Sequence, residues 1–199
     1  MDGTMRLTPF MVARSQLLTA IELFFADKDP VSVQALAGNA RELLEELCCQ
    51  IGVEPVTELL LRGHSGQLRE DIYDAMNVFR SCFKYLGTTE SKKREDQAAL
   101  DQFDDSINDY LLYVCVEDYV RLRKAMPIPM QVFHGWFRAL HSDLPGAHDP
   151  AEKFSDFFEN VHQMSRPEQK RAAAAVIFRL SRNSDFLASP ATEPLITKS

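Results

Sequence analysis

The chain has 199 residues, 45% of them hydrophobic and 26% charged, enough for one sizeable core and too apolar for disorder. Its 22 Lys and Arg against 29 Asp and Glu leave a net charge of −7. That disfavours RNA as a partner, since nucleic-acid binding depends on neutralising phosphates. No apolar run reaches the ~18 residues of a membrane span, and Met1 to Thr8 lacks the basic-then-apolar pattern of a secretory signal, so a cytoplasmic protein without a membrane partner is expected.

Thr8-Pro9 opens a first helix as N-cap and first-turn proline, with Phe10, Ala13, Leu17, Ile21 and Phe24 on one face until Asp27-Lys28-Asp29-Pro30 stops it. A second helix is predicted from Ser32 to Ile51, closed by Gly52. Gly38 inside it costs about 1 kcal/mol against alanine, so a close helix–helix contact is expected there. Glu54-Pro55 begins a short helix ended by Gly63, and Gln67 to Leu86 forms a third long one on Leu68, Ile72, Ala75, Met76, Phe79 and Phe83.

Gly87 to Arg94 reads as a polar link, and Glu95 to Ala125 as a fourth long helix on Leu100, Phe103, Ile107, Tyr110, Leu111 and Val114. Met126-Pro127-Ile128-Pro129 breaks it. Met130 to His141 is a fifth helix with Phe133, Trp136, Phe137 and Leu140. Asp149-Pro150 opens a sixth with Phe154, Phe157, Phe158 and Val161, and Ser165 with Glu168 forms the capping box of a seventh. No segment alternates as a strand. The expectation is an all-α antiparallel bundle of about six to seven helices in one domain over residues 1–183, with a flexible tail over 184–199.

Chemistry-bearing patterns are sparse. Cys48, Cys49, Cys82 and Cys115 all fall inside helices without metal spacing, which predicts buried free thiols in a reducing compartment. His134 and His141 lie seven residues apart on one helix, and Glu159 to His162 is a lone Glu-x-x-His pair. Neither completes a metal site, so no metal and no cofactor are expected. The carboxylates Asp101, Asp104, Asp105, Asp109, Glu117 and Asp118 read as a solvated helix face. Basic residues gather at Lys92 to Arg94, at Arg121 to Lys124, where they complement a helix C-terminus, and at Arg166 to Arg171. The pairs Phe24-Phe25 and Phe157-Phe158 are wider than one helical stripe. Either the fold covers both sides or a second subunit does, which makes a homodimer an expectation.

Three segments carry a resemblance: Pro30 to Leu44, Ser81-Cys82-Phe83-Lys84-Tyr85-Leu86, and Phe133-His134-Gly135-Trp136-Phe137. Across most of residues 8–140 the chain resembles a group of bacterial helical proteins similar to the HEPN class. The resemblance implies a helical, commonly dimeric domain. In many members it also implies a metal-independent ribonuclease site with an arginine and a histidine separated by four to six residues. This chain has no such pair, and Arg80 is followed at the fifth position by Tyr85. A phenol of pKa near 10 is a poor base at neutral pH, although it can orient phosphate. Arg80, Lys84 and Tyr85 are therefore the candidate site residues. The leading expectation is a non-catalytic module binding protein or RNA. The alternative is a divergent ribonuclease of toxin or defence type, and a metal-binding bundle ranks last.

Overall fold

In the computed structural model, which describes residues 6–62, 66, 77–79, 81–83, 87–141, 154 and 156–195, local capping chemistry sets most helix starts. Helix α1 (Pro9–Phe25) begins where the Thr8 hydroxyl accepts from the Met11 amide at 3.2 Å. Helix α2 (Pro30–Gln50) starts slightly before the expected Ser32, because Asp29 accepts from the amides of Val31 (3.2 Å) and Ser32 (3.1 Å). Gly52 follows at φ +73°, a conformation glycine adopts without strain. Helix α3 is Val56–Leu61. Of the expected helix from Gln67 to Leu86, residues 77–79 and 81–83 are described, and they are helical.

The expected fourth helix is two. Helix α4 (Glu90–Leu100) starts within the supposed link, capped by the Thr89 hydroxyl on the Lys92 amide at 3.2 Å. Helix α5 (Ile107–Arg123) starts after a break at residues 101–106. There Asp104 accepts from the Ser106 amide at 2.9 Å and from its hydroxyl, offering the backbone a turn in place of helix. Lys124 closes α5 in the left-handed region at φ 58°. Helix α6 (Ile128–Leu140) follows Pro127.

Where the sixth helix was expected to end, residues 156–160 form turns and Val161–Gln163 a 3-10 turn. Helix α7 (Arg166–Leu180) carries the expected capping box, with Glu168 accepting from the Ser165 amide (2.8 Å) and hydroxyl (2.6 Å). In the segment expected as a tail from residue 184, Ser184–Leu187 forms helix α8, capped by Asn183 on the Phe186 amide at 2.9 Å. Residues 189–195 then run back across the start of α6, where Thr192 makes an isolated parallel bridge with Met126.

The class is all-α, and no strand occurs among the described residues. Helix α1 packs along α2, α2 against α5, and α6 and α7 close the other side of α1. Phe24 and Phe25 are both buried. Their rings meet Trp136 edge-on at 5.4 and 5.8 Å and pack on Phe133 at 5.7 and 5.9 Å. Each buried phenylalanine contributes roughly 1.5–3 kcal/mol by leaving water. Phe158 is buried as well, so the chain itself covers three of the four paired phenylalanines. None of the helices among the described residues is long and apolar enough to cross a membrane.

The expected close contact at Gly38 is absent: a Cβ there meets nothing within 4 Å. The glycine that does need its missing side chain is Gly135, where a Cβ would lie 2.4 Å from the Phe154 Cβ.

Candidate functional site

Arg80, Lys84 and Tyr85 lie outside the described residues. Their described neighbours, residues 77–79 and 81–83, are held as follows. Phe79 is buried and meets Phe103 at 5.1 Å, and Phe83 meets the same ring at 5.2 Å. Asn77 accepts from the Arg41 guanidinium at 2.6 Å, and Arg41, only 1% exposed, also donates to Glu45 at 2.7 Å.

Several of the ionisable residues singled out from sequence form pairs that stitch helices together. His134 on α6 meets Glu117 on α5 at 2.8 Å, and its ring stacks on Tyr113 at 5.8 Å. Burial opposes ionisation of Glu117, but the hydrogen bonds from His134 and Tyr113 prevail and hold its carboxyl below the usual range. Burial, with the Glu117 charge beside it, pushes the Tyr113 phenol up. His134 thus has one nitrogen on Glu117 and one ring face on Tyr113, an arrangement that clamps α5 to α6. His141 leans on Phe137 at 4.4 Å rather than joining His134. No group of three metal-ligating side chains occurs among the described residues.

The acidic run is not a uniformly solvated face. Asp109 and Asp118 are buried, and Asp105 is half-buried. Arg166 on α7 donates to Asp109 at 2.7 and 3.0 Å and also pairs with Asp105. Lys170, one turn on, is buried and binds Asp27 at 2.9 Å and Asp105 at 2.7 Å, while its ammonium sits 4.6 Å above the Phe24 ring. Burial works against the Asp105 carboxylate, yet Lys170 and Arg166 hold its carboxyl below the usual range. Asp109 is pushed up, because its burial outweighs Arg166. This cluster locks α7 to the α1–α2 turn and to the break before α5. Asp118 accepts from the Val56 amide at 2.8 Å and thereby seats α3. Its other oxygen is buried without a hydrogen-bond partner, and burial pushes its carboxyl up to about 6.

Two of the four cysteines, Cys48 and Cys115, are buried, whereas Cys49 is exposed, contrary to expectation. The helical period explains this: Cys49 is turned about 100° from Cys48. Burial pushes the Cys48 thiol up to about 12 and raises Cys115 as well.

The face that sequence reasoning missed is the outer side of α7. Lys170, Ala173, Val176 and Leu180 point inward. The opposite stripe carries Arg171, Ala175, Phe178 and Arg182, all exposed, with exposed Arg179 beside it. Phe178 is 61% exposed, and the Arg182 guanidinium lies over its ring at 3.4 Å. Arg179 covers Phe157 at 4.3 Å. An aromatic ring flanked by arginines can meet carboxylates and an apolar side chain together. The signal in the sequence was Phe178 itself, which sits on the polar stripe of a helix whose apolar stripe runs through Val176 and Leu180.

Comparison with protein-family models, curated proteins and solved structures finds no match.

Proposed function

We propose that the protein is a non-catalytic helical interaction module that grips an acidic protein segment with the outer face of α7. The observation that carries this reading is the exposed Phe178 ring under the Arg182 guanidinium, with exposed Arg171 and Arg179 on the same helix, on a chain of net charge −7. A cationic, aromatic strip in an acidic field selects a local anionic partner, and complementary charge sets specificity and association rate. A helical fold of HEPN type and a cytoplasmic setting belong to the same proposal, the latter supported by the buried thiols of Cys48 and Cys115. The homodimer loses the support of Phe24, Phe25 and Phe158, which are buried within the chain. It now rests on the HEPN resemblance alone.

The test is fluorescence anisotropy with a labelled peptide of alternating Glu and Leu, beside a labelled single-stranded RNA. Binding of the peptide, weakened about tenfold or more by Phe178→Ala and by Arg182→Glu, is the expected result. No peptide binding, or binding that both variants leave unchanged, overturns it. RNA cleavage that Arg80→Ala and Tyr85→Phe abolish establishes the ribonuclease alternative instead. Light scattering of the same sample reads whether one copy or two is present.

A further inference from the structure

The return segment after α8 is held in an unusual manner. None of residues 188–195 is buried, so little apolar surface fastens it. Its backbone and polar side chains, by contrast, are read almost group by group. The Met126 amide donates to the Ala191 carbonyl at 3.0 Å, and the Glu193 amide donates to the Met126 carbonyl at 3.0 Å. Gln131 donates its side-chain amide to the Ala191 carbonyl at 3.2 Å and to the Thr192 hydroxyl at 3.0 Å.

The Glu193 carboxylate lies among three helix-borne donors. It accepts from Arg14 at 3.4 Å, from Arg123 at 3.1 and 3.0 Å, and from the Tyr119 hydroxyl. Arg14 also donates to the Pro194 carbonyl at 2.8 Å. Arg14, Tyr119 and Gln131 are themselves buried, and they stand on α1, α5 and α6. The receptor side is therefore a rigid, partly buried, cationic cleft, and the occupant is a short extended strip with one acidic residue. Pairing of an extended peptide with backbone, plus a pocket for alternate side chains, is a known mode of peptide recognition. A buried arginine needs an anion there, because a buried charge left unpaired is strongly destabilising.

We propose that the cleft formed by Arg14, Tyr119, Arg123, Met126 and Gln131 is a binding site for extended Thr-Glu-Pro peptide, and that residues 191–194 are its resident and exchangeable occupant. The attachment is polar and short, which places it among the parts of a fold that open locally before the core does. A linked occupant competes at an effective concentration of about millimolar, so a free peptide enters readily only when the resident strip is weakened.

The experiment uses the full chain. A labelled peptide of the sequence from Ser189 to Leu195 is titrated by anisotropy into wild type and into Glu193→Ala, with circular dichroism confirming that each is folded. The peptide is expected to bind Glu193→Ala at least about tenfold more tightly than wild type. A peptide with alanine in place of its glutamate is expected to bind neither. Glu193→Gln, which keeps the side-chain size and one acceptor oxygen and removes the charge, serves if the alanine variant does not fold. A folded variant that ignores the native peptide, or binds it no better than the alanine peptide, overturns the proposal.

Discussion

Asp118→Asn is the sharpest test of how this all-α fold treats buried charge. Asp118 is fully enclosed, one oxygen holding the Val56 amide at 2.8 Å and the other without a partner. Burial, aided by the Glu45 and Glu117 charges, lifts its carboxyl from the ordinary 3.8 to about 6. In that window the folded chain holds a proton that the unfolded chain has released. The contribution is thus fully present below about 3.8 and is lost as pH rises through about 6. The whole span amounts to about 3 kcal/mol, of which roughly half falls between about pH 5 and pH 8.

Asparagine keeps the acceptor for Val56 and does not titrate. Its amide meets the same unpartnered environment at every pH, costing about 1–3 kcal/mol that cancels when two pH values are compared. Urea unfolding followed by the fluorescence of Trp136, the single tryptophan and fully buried, reads the difference. The variant should gain on wild type by roughly 1–2 kcal/mol between about pH 5 and pH 8. An equal difference at both pH values, or a gain by wild type, would show that Asp118 stays ionised at low cost and would refute the reasoning.

Lys170→Ala leaves Asp27 and Asp105 without their buried ammonium and should cost about 3–5 kcal/mol; Lys170→Met, which refills the space over Phe24, should cost less, as read by thermal unfolding. Gly135→Ala drives a methyl into Phe154 and should cost about 1–3 kcal/mol, whereas Gly38→Ala meets open space and should stabilise by about 0.5–1 kcal/mol. With a thiol-reactive dye in native conditions, Cys49 should react within minutes while Cys48 and Cys115 stay silent until denaturant is added, as mass spectrometry of tryptic peptides would show.

What the sequence made legible was local. Thr8, the Ser165–Glu168 box and Gly52 act within one turn of themselves, and the apolar face of α1 follows a fixed period, so each could be read without the rest of the chain. The break before α5 could not. Leu100, Phe103 and Ile107 keep helical spacing straight through it, and the turn is held by Asp105 reaching Arg166 and Lys170 on a helix 61 to 65 residues away. The acidic run misled for the same reason, since whether a carboxylate faces water or a guanidinium depends on which distant helix docks beside it. Gly38 and Gly135 are alike as letters, and only the position of Phe154 separates them. Of the candidate site, Arg171 was visible as part of a basic group. The exposure of Phe178 became visible only once the inward side of α7 was fixed.

The contact between Arg14 and Glu193 spans 179 residues, and this bears on how the chain is made. A ribosome delivers α1 well before the return strip. Until the strip emerges, Arg14 and its neighbours on α5 wait without their carboxylate, although the core around Phe24 can begin to close once α6 and α7 emerge. Docking of the strip therefore follows the synthesis of every helix that forms its cleft. A nascent or truncated chain would present an open cationic cleft that the finished protein keeps filled.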